Sequence, residues 1–110
     1  MGSYVTRPPA NHADVNTPTA DEVRRARTVS LLGWAIRAPI KPAMKVVLAT
    51  LGMDADSNLR VMAEHARLAR DCGLSRRHLD VTLSRLAAAG YLTRTHAYPG
   101  AELISLVVES

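Results

Sequence analysis

A chain of 110 residues, 47% of them apolar, holds one domain with a modest core and leaves no room for a separate catalytic domain beside it. Its 12 arginines and 2 lysines exceed 10 carboxylates by a net +4, a balance common among proteins that meet polyanions, and the single cysteine, Cys72, excludes an intrachain disulfide and fits a reducing compartment. No stretch approaches the roughly 20 apolar residues of a membrane span, and the N-terminus lacks a basic start followed by an apolar run, so a cytoplasmic protein is expected.

Residues 1–18, with Arg7, Pro8, Pro9, Asn11, Asn16 and Pro18, show neither helical nor strand periodicity and read as a flexible arm, which leaves 19–110 as the domain. Thr19 stands three residues before Glu22, as in a capping box, and predicts a first helix from Ala20. Val29 to Ile36 either continues that helix or breaks at Gly33 into an extended piece around Trp34; helix is the preferred reading. Pro39 and Pro42 end it, and Pro42 suits the first turn of a second helix with Ala43, Val47, Leu48 and Leu51 on its apolar face and a stop at Gly52. Asp54 to Asn58 reads as a polar loop and Arg60 to Met62 as a short strand. Ala63 to Cys72 predicts a third helix, closed by Gly73. Ser75 caps a fourth, whose Leu79, Leu83 and Leu86 share one face, and Gly90 closes it. Tyr91 to Thr95 and Leu103 to Val108 then flank a turn at Tyr98, Pro99 and Gly100 as a β-hairpin.

The start of the fourth helix breaks a local rule. Arg76, Arg77 and His78 follow the cap directly, where the positive end of the helix dipole disfavours cations by about 0.3–1 kcal/mol each. An anionic partner at that end removes the conflict, since free N–H groups and two guanidinium groups converge on it. The alternative is that Asp80 answers the arginines along the helix, a pairing worth a few tenths of a kcal/mol. Between Arg60 and Tyr98 seven arginines face only Glu64, Asp71 and Asp80, so the positive charge is concentrated here.

The run Leu68, Ala69, Gly73, Leu74, Ser75, Leu79, Leu83, Leu86, Gly90, Tyr91, Leu92 supplies a small residue at a helix crossing, a tight turn, a plug, a cap and a buried face. Over about Ala63 to Val108 it resembles the winged helix-turn-helix superfamily of bacterial transcription regulators and of phage and plasmid replication proteins. The stretch Trp34 to Leu51 is more loosely similar to the lead-in and first helix of a replication-associated subgroup. The resemblance implies a mainly α fold with a small β-hairpin: a three-helix core plus an extra N-terminal helix. It implies a recognition helix with Ser75, Arg76, Arg77, Asp80, Val81 and Ser84 facing the DNA groove, His78 beside the arginines, and Arg85 near the backbone. It makes the hairpin a wing, with Arg94, His96 and Tyr98 suited to backbone or minor-groove contact. Asp80 then either accepts from a cytosine amino group or orients an arginine, and Val81 touches a thymine methyl.

Other chemistries find no support in the residues. His65 and Cys72 stand seven apart with no recurring ligand spacing, so no metal site is expected, and Cys72 reads as packing. No nucleophile elbow or phosphate loop occurs, so neither an enzyme nor a cofactor is expected. The expected function is sequence-specific binding of double-stranded DNA by a transcription regulator. The alternatives are a replication, partition or transfer factor of a mobile element, and a winged-helix module that binds protein only. A homodimer through Val29 to Ile36 is expected, against the reading that Trp34 folds back onto Leu48 and Leu51.

Overall fold

The computed structural model describes residues 17–108, with residues 96–98 described by their backbone alone, so the expected arm lies almost wholly outside the described residues. Within them, four helices and a three-stranded antiparallel sheet follow in the order α1 (Ala20–Arg37), α2 (Pro42–Asp54), β1 (Arg60–Glu64), α3 (His65–Cys72), α4 (Arg76–Ala88), β2 (Leu92–Tyr98) and β3 (Ala101–Leu106).

Helix α1 starts on the expected capping box: Thr19 Oγ1 accepts from the Glu22 amide at 3.1 Å, and Glu22 Oε1 accepts from the Thr19 amide at 2.9 Å. The amide of Thr19, and next its hydroxyl, hold the Glu22 carboxyl below its usual range. Gly33 does not break the helix, which runs on to Arg37. Its apolar run is divided. Leu31 and Ala35 are buried, Trp34 is half-buried with its ring 6.1 Å from that of Tyr91, and Val29 and Ile36 stay 68% and 61% exposed. Most of the run therefore serves the core of a single copy.

Helix α2 starts at Pro42, whose missing N–H costs nothing in a first turn. It does not stop at Gly52, as the sequence suggested, but continues to Asp54. Gly52 is buried where α1 and α2 cross; a Cβ there would lie 3.2 Å from Leu31 Cβ, so the glycine permits close approach rather than ending the helix. Lys45 Nζ donates to the Ile36 carbonyl at 2.7 Å, satisfying an orphan acceptor at the end of α1.

Asp56 shapes the loop before β1. Its carboxylate accepts from the amides of Asn58 at 2.8 Å and Arg60 at 3.0 Å, which holds its carboxyl below the usual range, and Leu59 is turned to φ 62°. Strand β1 is longer than its sequence signal, and it corrects the start of the third helix: Ala63 and Glu64 are extended and α3 begins at His65. Val61 and Ala63 point inward and pair with Ile104 and Glu102 of β3, so the hairpin becomes a sheet of order β1-β3-β2. Both hairpin strands also reach further toward the turn than expected, leaving Pro99 and Gly100 between them, the latter at φ 83°.

Leu48 and Leu51 of α2, Leu79, Leu83 and Leu86 of α4, Leu92 of β2 and Ile104 of β3 form the fully buried centre. Covering a leucine completely contributes about 1.5–3 kcal/mol, so this cluster fixes how α4 and the sheet sit on α2. Along its inner face the sheet changes character: Leu92, Ile104 and Leu106 are apolar, whereas Arg94 and Glu102, nearer the turn, are charged.

Candidate nucleic-acid interface

Helices α3 and α4 are joined by a turn of three residues. Gly73 adopts φ 69°, a region costly for a side chain, and the Leu74 amide reaches back to the Ala69 carbonyl at 2.9 Å. Leu74 packs on the core. Ser75 is the N-cap of α4, its Oγ accepting from the His78 amide at 3.0 Å. With Leu79, Thr82, Leu83 and Leu86 buried, the opposite face of α4 presents Arg76, Arg77, His78, Asp80, Val81, Ser84 and Arg85 to solvent. The structure thus places the expected groove-facing residues on one exposed helix, although the Ser75 oxygen is engaged in its cap.

Arg76 and Arg77 enter no ion pair among the described residues. Asp80, the partner that would make them unremarkable, instead accepts at Oδ1 from Arg94 Nη2 at 3.0 Å. Two cations therefore remain at the positive end of α4 without an ion-pair partner among the described residues. They line a cleft of about 340 Å³ together with His65, Leu79, Asp80 and Arg94. A larger cleft of about 550 Å³, between the end of α1 and the α4–β2 connection, has Trp34, Pro39, Tyr91 and Val107 in its walls and Arg37 as its one charged side chain. Volume favours the larger cleft, but the chemistry for an anion is in the smaller one.

Arg94 belongs to the same cleft and behaves differently. It lies inside the β2–β3 ladder, paired with Ile104, and not at the turn. Its Nε donates to Glu102 Oε2 at 2.9 Å and its Nη2 to Glu102 Oε1 at 2.8 Å, a two-pronged pair; Nη1 donates to Ser84 Oγ at 3.0 Å, and Nη2 also reaches Asp80. Four of its five N–H groups are thereby committed. These bonds, Glu102's first, raise the guanidinium further above its already high value.

Glu102 is fully buried, and burial alone would raise its carboxyl, but the hydrogen bonds of Arg94 and His65 outweigh this and hold it below the usual range. His65 Nε2 lies 2.6 Å from Glu102 Oε1; since the carboxylate only accepts, that nitrogen carries the proton. The His65 amide also donates to the Gly100 carbonyl at 2.9 Å, so the hairpin turn is docked on the start of α3.

His65 and Glu102 were missed as site residues. The signal was present: Glu102 stands in phase with Ile104 and Leu106 in a period of two, a charge at a core position that demands a buried partner. His96 and Tyr98 lie on β2, opposite Glu102 and Ala101, with an irregularity between them; their side chains are outside the described residues. Cys72 is half-buried, its thiol pushed up by burial and its Sγ 3.5 Å from Thr50 Oγ1, as packing requires. Among the described residues no group of histidine, cysteine and carboxylates is placed to hold a metal, and no helix is long and apolar enough to cross a membrane.

Fold and site together define a mainly helical chain with a small antiparallel sheet and an arginine-lined cleft where an exposed helix begins. No family model, curated protein or solved structure matches it.

Proposed function

We propose that this chain binds double-stranded DNA as a winged helix-turn-helix protein, with α4 entering the major groove and the β2–β3 hairpin beside it as the wing. The observation that carries the reading is the pair Arg76 and Arg77: exposed, at the N-terminus of a capped helix, and without a carboxylate partner among the described residues. In the major groove such side chains form paired hydrogen bonds with the O6 and N7 of guanine, while the free amides of the helix start favour phosphate. The tight turn after α3 and the buried leucines of α4 support it by holding that helix end clear of the core.

The test is retardation of a random-sequence duplex at low salt, repeated as salt is raised. A DNA binder shows retardation that weakens steeply with salt as counterions are released. A module that binds protein only shows none. Regulation of transcription is the role proposed within this reading; bound sites mapping to promoters support it, and sites mapping to a replication origin replace it. Self-association through the exposed Val29 and Ile36 belongs to the same proposal, and light scattering at micromolar concentration that returns a single 11.9 kDa species removes it.

A further inference from the structure

Arg94 joins two elements, the β2–β3 hairpin and α4. It is fixed from behind by the fully buried Glu102, itself held by His65, and its remaining bonds go forward to Asp80 and Ser84 on the exposed side of α4. Asp80 is 71% exposed and gives only Oδ1 to this contact; Oδ2 has no protein partner among the described residues. A carboxylate on a flexible surface side chain repels the DNA backbone. One whose charge is offset by an arginine and whose orientation is set is instead a prepared hydrogen-bond acceptor.

We propose that Asp80 reads the exocyclic amino group of a cytosine in the major groove, and that Arg94 is the positioning residue that holds it in place to do so. This rests on the DNA-binding reading above and adds a base to it. An ionised carboxylate only accepts, and the groove offers it two donors, cytosine N4 and adenine N6. Adenine sets its N7 acceptor beside that donor and guanine and thymine present acceptor oxygens, so cytosine is the base that meets a lone acceptor without repulsion. Arg76 stands one helical turn before Asp80 on the same exposed side of α4.

Arg94 does not leave its internal partners for phosphate. Withdrawal takes both prongs of its charged partner from the fully buried Glu102 and leaves it His65 alone, a larger loss than one exposed phosphate contact repays.

The experiment selects the preferred duplex from a random pool with the wild-type chain, then measures binding to every single-base variant of it for wild type, Asp80→Asn, Asp80→Ala and Arg94→Ala. Asp80→Asn leaves the buried pair intact and keeps an oxygen for Arg94, so the atom turned to the groove becomes an amide donor and one position changes its preference from cytosine to a base presenting an acceptor oxygen, guanine or thymine. Asp80→Ala flattens that position, a loss of roughly tenfold to a hundredfold in discrimination. Arg94→Ala flattens the same position and no other, with the salt slope unchanged. Because Arg94→Ala strands Glu102, the double variant Arg94→Met with Glu102→Leu removes the clamp with an apolar pair in its place, and circular dichroism establishes that each variant is folded.

Uniform weakening of all duplexes by the folded Arg94 variants, with a salt slope smaller by about 1, makes Arg94 a phosphate contact and overturns the proposal. So does an Asp80→Asn profile identical to wild type. If the wild-type chain selects no sequence and retards no duplex, it is the DNA-binding reading itself that fails.

Discussion

Two regions of one cleft carry arginines with opposite surroundings. At the start of α4, Arg76 and Arg77 are exposed and have no ion-pair partner among the described residues; inside the β2–β3 ladder, Arg94 is largely covered and bonded to Glu102, Asp80 and Ser84. Charge counted along the sequence treats the three alike. Pairing separates them: an arginine whose donors are committed shapes the site, and under the proposed DNA-binding function an arginine without partners is the one left to meet the duplex. The hairpin is accordingly fastened to two helices, through Arg94 to α4 and through its turn to His65 at the start of α3.

That contrast is most severely strained by removing what holds Arg94. Glu102→Ala leaves a largely covered guanidinium without its main partner, and a chemical-denaturation curve should show a loss of about 3–5 kcal/mol. The same curve for Arg76→Ala or Arg77→Ala should stay within about 0.5 kcal/mol of wild type, since exposed side chains away from caps and cores contribute little to folding. A large loss there would mean that these arginines too are structural.

A smaller effect sharpens the comparison at the turn that sets where the two free arginines stand. Gly73→Ala meets no atom within 4 Å, so its cost is the left-handed backbone alone, about 1–2 kcal/mol by thermal unfolding, with Gly73→Asn closer to wild type. The acid response sharpens the hairpin side. The folded Glu102 carboxyl lies below its ordinary value of about 4.3, so its contribution is present above that value and is lost as pH falls through the lower folded one. Glu102→Gln should remove this part of the acid sensitivity, measured as a denaturation midpoint that varies less with pH below about 5.

The fold's helices could be read from sequence where cap, periodicity and closing glycine agree, as in α4 between Ser75 and Gly90. Gly52 was misread because a glycine after an apolar run serves equally as a helix stop or as a close crossing, and only the partner, Leu31, distinguishes them. Strand β1 was underread because five residues give a period of two little room, and its pairing with β3 is a contact between residues some forty apart. Within the site, the exposed residues of α4 followed from helical geometry. Arg94 did not: a charge on a hairpin looks solvent-facing until Glu102, on the next strand, is seen to point the same way. A buried ion pair is a property of register, and register is the part of a hairpin that propensity leaves open.

The ratio of cognate to random-duplex affinity measures directly the proposed division of labour between α4 and everything around it. Fluorescence anisotropy titrations at fixed salt, with the selected duplex and a random one, should show Arg76→Ala or Arg77→Ala weakening the cognate site by about 1–3 kcal/mol and the random duplex by less, so that the ratio falls. An unchanged ratio in both variants would contradict the assignment of α4 as the reading helix.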